Sequence, residues 1–203
     1  NPYLKNESSV EANAFLGTKL EKFNAKISSS YFYLSNYIVG EILENLVPMT
    51  IGANGVKNYT ALDNATIFNV SLSTELQIAE PLKWSAQFVY TRGKDNQNQN
   101  LPFMSPFSYQ SSLKFEKNKF SSELAVHGNA KYQDFAEKYG ESATPDYLEM
   151  NASLGYLFKM NNSKILAKIG VENIFDRFYT TFSDWNKIPR PGRNFFLNLS
   201  FNW

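Results

Sequence analysis

The last nine residues constrain this chain more than any other stretch. Phe195, Leu197, Leu199, Phe201 and Trp203 fall on one face of an extended strand, and Asn198, Ser200 and Asn202 fall on the other. In water, a strand with that apolar face and an open edge invites pairing with other chains. A barrel in lipid removes both problems, because the apolar face meets hydrocarbon and the edge is paired. Trp203 then sits at the membrane interface.

Composition agrees with that setting and excludes the other membrane class. Of 203 residues, 43% are apolar, 16% aromatic and only 19% charged, against about 25% charged in soluble proteins. No run of 18 apolar residues occurs, so no transmembrane helix is encoded. Barrel strands need only about 10 residues and alternate in polarity, so such a protein can look hydrophilic on average. The net charge of +1 gives no reason to invoke nucleic acid, and the absence of cysteine removes disulfide and thiolate chemistry. No N-terminal signal peptide is present, so it has been removed or the true start lies elsewhere. The aromatic terminus with alternating apolar residues before it resembles the C-terminal signature of bacterial outer-membrane proteins.

Period two governs the rest of the chain. From 65 to 78, Phe68, Val70, Leu72 and Leu76 alternate with Asn69, Ser71, Ser73 and Glu75; from 82 to 92, Leu82, Trp84, Phe88 and Tyr90 alternate with Lys83, Ser85 and Gln87. The spans 107–116, 120–133 and 147–159 repeat the pattern, and weaker strands are expected over about 8–17, 22–42 and 163–175. A polar residue at every second position argues for a wet interior rather than a packed soluble core. The fold class is therefore all-β, an antiparallel transmembrane barrel.

The connections sort by length. Short ones at 18–21, 79–81, 118–119 and 160–162 alternate with long ones at 43–64, 93–106, 134–146 and 176–193. Outer-membrane barrels have short periplasmic turns and long external loops. Placing Trp203 on the periplasmic side makes every short link periplasmic and every long one external. The count is nine strands, whereas bacterial single-chain barrels normally have an even number. The first strand also runs inward from an external segment at 1–7, so the chain is expected to begin partway through a barrel. A break of 22–42 at Ser35-Asn36 would give ten strands but would spoil the alternation of loops, and nine is favoured.

Several segments resemble TonB-dependent outer-membrane receptors. Asn1-Pro2-x-Leu4-Lys5-x-Glu7, with a strand ending in Leu16-Gly17, is similar to that family's NP-x-LK-x-E…G segment. Tyr31-Phe32-Tyr33 through Ile38 resembles its next strand, and Tyr59…Asn64-Ala65 resembles the start of the one after. Leu101-Pro102-x-x-x-Pro106 resembles its proline-marked strand start. The fullest match is Val171-Glu172-Asn173-Ile174-Phe175-Asp176-Arg177-x-Tyr179, followed by Pro191-Gly192-Arg193-Asn194-Phe195 and the terminal strand. One departure is Asn69-Val70-Ser71, where the family often carries Gly-x-Glu. The resemblance implies a barrel of about 22 strands with a plug domain in its lumen. Residues 1–203 would be the C-terminal portion of that barrel, roughly its last nine strands, with the plug on residues outside this sequence. It also implies outer-membrane lipid, the barrel assembly machinery, a nutrient ligand and the TonB energy-coupling complex as partners, the last acting through the plug.

Candidate chemistry is sparse. His127, the only histidine, is predicted to face the lumen; it could ligate a metal or haem, but a site would need ligands from elsewhere, and a lumen residue bonded to plug or water is favoured. Met49 and Met104 lie in external loops and could hold Cu(I), although two loop methionines are usually incidental. Asp134, Glu137, Glu141 and Asp146 crowd one external loop, where a pair could act as acid and base. No Ser-His-acid constellation accompanies them, so a solvated loop is favoured and no catalytic residue, metal site or cofactor is assigned. The loop 176–193 is the main binding candidate. It carries Tyr179, Phe182, Asp184, Trp185, Lys187, Arg190 and Arg193, and aromatics with guanidinium groups can stack on and pair with an anionic ligand. Tyr179 and Trp185 could equally belong to an interfacial aromatic girdle, and Arg193 in its Pro-Gly-Arg turn is read as structural. Expected ligand contacts are Trp185, Arg190, Tyr179, Lys187 and His127, and the expected assembly signal is Phe195, Leu197, Leu199, Phe201 and Trp203.

The function expected is TonB-dependent uptake of a scarce, bulky nutrient such as a ferric siderophore, haem or another metal complex, without enzymatic activity. Two rivals stand beside it: a self-contained ten-stranded barrel acting as a hydrolase or adhesin, and a soluble β-rich binding domain.

Overall fold

In a computed structural model, residues 4–43, 45–51, 53, 55–160, 163–184 and 187–202 are described. The two halves of the terminal expectations separate there: Phe195, Leu197, Leu199 and Phe201 are described, while Trp203, Trp185 and Asn1–Tyr3 lie outside the described residues. The strands are β1 (Ser8–Lys19), β2 (Phe23–Ile42), β3 (Lys57–Ala79), β4 (Leu82–Asp95), β5 (Ser108–Lys117), β6 (Phe120–Asn129), β7 (Tyr147–Met160), β8 (Ser163–Glu172) and β9 (Asn194–Asn202). They form one sheet in sequence order, and every neighbouring pair is antiparallel. Short and long connections alternate without exception along this meander. Among the described residues β1 and β9 do not pair with each other, so the sheet is an open segment rather than a closed barrel.

The register sorts the side chains into two faces. One row runs Leu76, Trp84, Leu113, Leu124, Ala152, Val171, Phe195, and another on the same face runs Leu72, Phe88, Tyr109, Gly128, Leu148. Large apolar residues such as Phe68, Leu124, Leu154, Ile169, Leu197 and Phe201 stand exposed on that face. Lipid is the solvent that makes such a surface tolerable. The opposite face carries Lys26, Ser73, Gln87, Gln110, His127 and Glu149 in one row. Ion pairs cross it lower down: Lys83–Glu75 at 2.9 Å, Lys114–Glu123 at 3.4 Å and Lys168–Glu123 at 3.6 Å. Lys168 on β8 reaches Glu123 on β6 because Gly155, opposite it on β7, leaves no side chain in the way. These half-exposed pairs add little stability; they mark the face as a wet inner wall.

Boundaries differ from the sequence reading at β3, β6 and β8, while β2 runs unbroken as expected. β3 begins at Lys57 rather than 65, because Lys57–Leu62 pairs with Ile42–Tyr37; backbone pairing there is not accompanied by apolar alternation. The Ser35-Asn36 position does not split β2. Asn36 adopts φ 55 within a continuous strand, a conformation asparagine tolerates. β6 stops at Asn129, four residues early, because Tyr132 turns inward to pair with Thr144 and is buried in the loop. β8 stops at Glu172, where Asn173 adopts φ 49.

What core exists sits at the long-loop end. Val39, Ala136 and Tyr139 form a buried cluster backed by Tyr37 and Leu62. The β6–β7 loop, with a single 3-10 turn at Glu137–Tyr139, therefore packs on the tall β2–β3 hairpin. The β4–β5 loop folds over the inner wall, with Leu101 and Met104 against Gly93.

Candidate functional site at the long-loop end

The β8–β9 loop is anchored at its first residue. Asn173 is 2% exposed and its backbone N–H donates to Asn151 Oδ1 at 2.8 Å. Its Nδ2 donates to the carbonyls of Arg177 at 2.9 Å and Pro191 at 3.3 Å, and its Oδ1 accepts from Arg177 N–H at 2.8 Å. One buried amide thus ties both ends of the loop together. Arg193 completes the closure: its N–H donates to Asp176 Oδ1 at 2.7 Å and its Nε to the Ile174 carbonyl at 2.9 Å, a structural role.

From that base the loop sends Tyr179 to the inner wall. The Tyr179 hydroxyl donates to Glu149 Oε2, and its ring stacks on Tyr147 with centroids 4.3 Å apart. Tyr147 in turn donates to Asn129 Oδ1 at 2.7 Å and lies edge-on to His127. His127 Nε2 is 3.7 Å from the same Glu149 oxygen. Burial first, then the hydrogen bond to Glu149 and its charge, push the Tyr179 phenol well above its ordinary range. Tyr179 is therefore a neutral donor holding a buried carboxylate. The structure brings His127 and Tyr179 together through Glu149, a residue the sequence reading left as an ordinary polar-face position. His127 and Glu149 are direct partners in the β6–β7 register, a pairing that the long connection between these strands hides from the sequence.

Lys187 and Arg190 are placed elsewhere. Lys187 donates to Thr144 Oγ1 at 2.6 Å, linking its loop to the β6–β7 loop. Arg190 pairs with Asp184, with Nε donating to Oδ2 at 3.1 Å and a second contact from Nη2, which also reaches Thr181 Oγ1. Burial opposes ionisation of Asp184, but hydrogen bonds from Thr181 and the Arg190 charge win and hold its carboxyl below the ordinary value. Phe182 packs edge-on to Tyr132.

In the β6–β7 loop Asp134, Glu137 and Asp146 are exposed, as a solvated loop requires, but Glu141 is engaged. Glu141 accepts three hydrogen bonds, from Tyr132 OH at 2.7 Å, Ala136 N–H at 2.9 Å and Phe103 N–H at 2.7 Å. It joins this loop to the β4–β5 loop, while Lys138 pairs with Glu41 at 2.8 Å on the β2 side. The long loops thus interlock. Met49 is fully exposed in the β2–β3 loop, whereas Met104 packs over Gly93. Among the described residues no group of three or more His, Asp and Glu side chains gathers as a metal site. Below the loops the inner wall holds a polar hollow of about 410 Å³ lined by Ser73, Ser85, Gln87, Gln110, Ser112 and His127, among others.

No protein-family model matches the sequence, and no curated protein matches it significantly. Solved structures do. The copper transporter OprC superposes with a TM-score of 0.85 at 20% identity, covering 98% of this chain and 32% of that one. The chain has the fold of a TonB-dependent receptor barrel. A mutant of the ferric enterobactin receptor PfeA from Pseudomonas aeruginosa gives 0.72 at 17% identity, covering 98% and 31%. The FrpB iron transporter from Neisseria meningitidis gives 0.70 at 13% identity, covering 97% and 30%. This chain spans about a third of the length of these TonB-dependent receptors. They are named as transporters and receptors, not as enzymes.

Proposed function

We propose that residues 1–203 form the C-terminal portion of the barrel of a TonB-dependent receptor, which takes up a bulky nutrient across the bacterial outer membrane. The observation that carries the reading is the open nine-stranded meander with strictly alternating connections, which overlays OprC along 98% of its length. Two unpaired edges in lipid would leave backbone groups without partners, and hydrocarbon offers none. Further strands must therefore complete it, and this counts against a self-contained small barrel. An apolar exposed face counts against a soluble domain.

On this reading the chain supplies a stiff polar conduit capped by interlocked external loops. Ligand contact falls to the exposed side of His127, to the rim formed by Tyr179, and to Arg190, Lys187 and Trp185 on the last loop. OprC is named for copper, PfeA for ferric enterobactin and FrpB for iron, and an anionic metal complex suits a site of guanidinium, ammonium and aromatic groups. Lipid, barrel assembly machinery, and TonB acting through a plug are the partners. The test is retention of the native outer-membrane particle on immobilised TonB periplasmic domain. Specific retention supports energy coupling; a pure, folded particle that passes through unretained overturns it.

A further inference from the structure

Glu149 is a buried carboxylate without a permanent cation beside it. It is 9% exposed, and burying a carboxylate is costly unless a cation or several hydrogen bonds compensate. Glu41, Glu75, Glu123 and Asp184 each pair with a lysine or arginine, and Glu141 accepts three hydrogen bonds. Glu149 has less. One phenol, Tyr179, donates to its Oε2, and His127 Nε2 lies 3.7 Å from the same oxygen. Among the described residues these are its only hydrogen-bond or ion-pair partners.

All three groups are metal-ligand types, and the fold converges them from three elements. The β6–β7 register sets His127 directly opposite Glu149, which puts their Cβ atoms about 4.5–5.5 Å apart. The β8–β9 loop delivers Tyr179, and stacking on Tyr147, with centroids 4.3 Å apart, fixes its ring. Two donors bound to one ion at about 2 Å each lie at most about 4 Å apart, and both contacts to Glu149 Oε2 fall within that span. An ion in place of the phenol proton would therefore touch all three. His127 also borders the hollow of about 410 Å³, so the remaining coordination positions open to the lumen. A tyrosine thus completes a ligand set that histidine and acid side chains alone do not form.

We propose that His127, Glu149 and Tyr179 bind one ferric ion at the long-loop end of the inner wall. Carboxylate and phenolate oxygens are hard donors, and imidazole suits iron. On binding, the Tyr179 O–H bond breaks, its proton leaves to solvent and an O–Fe bond forms. Glu149 Oε2 and His127 Nε2 each donate a lone pair, and the iron stays ferric. Three positive charges against one carboxylate and one phenolate leave a single positive charge, which hydroxide or a carboxylate chelator from the lumen neutralises. As a station on the cargo route the site rests on the uptake reading above, but ferric binding is measured without TonB. A particle that binds iron yet passes the TonB column refutes energy coupling alone; one that is retained yet binds no iron refutes this site alone.

The experiment titrates the whole detergent-extracted particle, stripped of metal, with ferric nitrilotriacetate and follows the visible tyrosinate-to-iron charge-transfer band. Wild type should develop the band and carry a matching amount of iron through gel filtration. Tyr179→Phe keeps the ring that stacks on Tyr147 and loses only the oxygen, so the band should vanish while the barrel stays heat-modifiable. Glu149→Gln and His127→Gln should each weaken iron binding about a hundredfold, since even groups that only orient a metal ligand are worth about 10–100-fold. Tyr156→Phe, exposed on the outward face, should titrate as wild type does. Absence of the band from wild type, or its persistence in Tyr179→Phe, overturns the proposal. Displacement of the iron by equimolar Zn(II) would overturn it as well, showing a site without ferric preference.

Discussion

Replacing Asn173 by alanine should release the last external loop while leaving the sheet intact. The side chain makes three hydrogen bonds, to the Arg177 N–H and to the carbonyls of Arg177 and Pro191, at 2% exposure. Each stranded buried partner costs about 1–3 kcal/mol. The carbonyls keep a second lone pair and part of the loop is open to water, so the low end applies, about 3–4 kcal/mol. Alanine also tolerates φ 49 less well than asparagine. At about 1.4 kcal/mol per decade, the opening equilibrium of residues 173–193 should rise by roughly 10²–10³. Hydrogen exchange by mass spectrometry on the native particle would read this directly, with peptides from 174–192 exchanging faster and peptides from β5 and β6 unchanged. Asn173→Asp, which keeps the acceptor and loses two donors, should fall between. Exchange of the loop within about twofold of wild type would refute the idea that this amide is its anchor.

Glu141→Ala should uncouple the β4–β5 and β6–β7 loops, since Tyr132, Ala136 and Phe103 all lose their shared acceptor; exchange at 101–104 and 134–140 should rise about tenfold or more, and no change would contradict the interlock. Acid should loosen the Arg190–Asp184 clasp. Because the folded carboxyl titrates below its ordinary value of about 3.9, its contribution is complete above that pH and lost as pH falls through the folded value. Loop exchange corrected for intrinsic rate should thus hold steady from neutral to about pH 4 and rise below it. Arg190→Ala with Trp185→Ala should weaken ligand binding by about tenfold without affecting barrel assembly; unchanged affinity would remove that loop from the binding surface. Deleting Trp203 should reduce the yield of heat-modifiable barrel, and a normal yield would remove the terminal aromatic from the assembly signal.

Strand number, order and loop sidedness were legible because burial on one face only imposes period two, as in Leu148, Met150, Ala152 and Leu154. The tall tip of the β2–β3 hairpin was not, since Lys57–Leu62 shows no sustained apolar alternation, and its side chains meet the β6–β7 loop instead. The period over 120–133 outruns β6 because Ala130 and Tyr132 continue it but serve the loop. Candidate-site residues were legible by type rather than by partner. Glu141 looks like one of four loop carboxylates until the Phe103 backbone, 38 residues away, is seen to reach it. Asn173 lies inside the best-matched segment, yet nothing in its neighbours shows that it binds the Pro191 carbonyl, 18 residues away, as well as Arg177.

The central claim is that this chain is one segment of a larger receptor barrel, and the direct measurement is the intact mass and N-terminal sequence of every polypeptide in the purified native outer-membrane particle. The account predicts a chain much longer than 23.2 kDa, or a tightly associated second chain carrying a plug. A lone 23.2 kDa chain beginning at Asn1 and folding by itself as a closed barrel in detergent would contradict it.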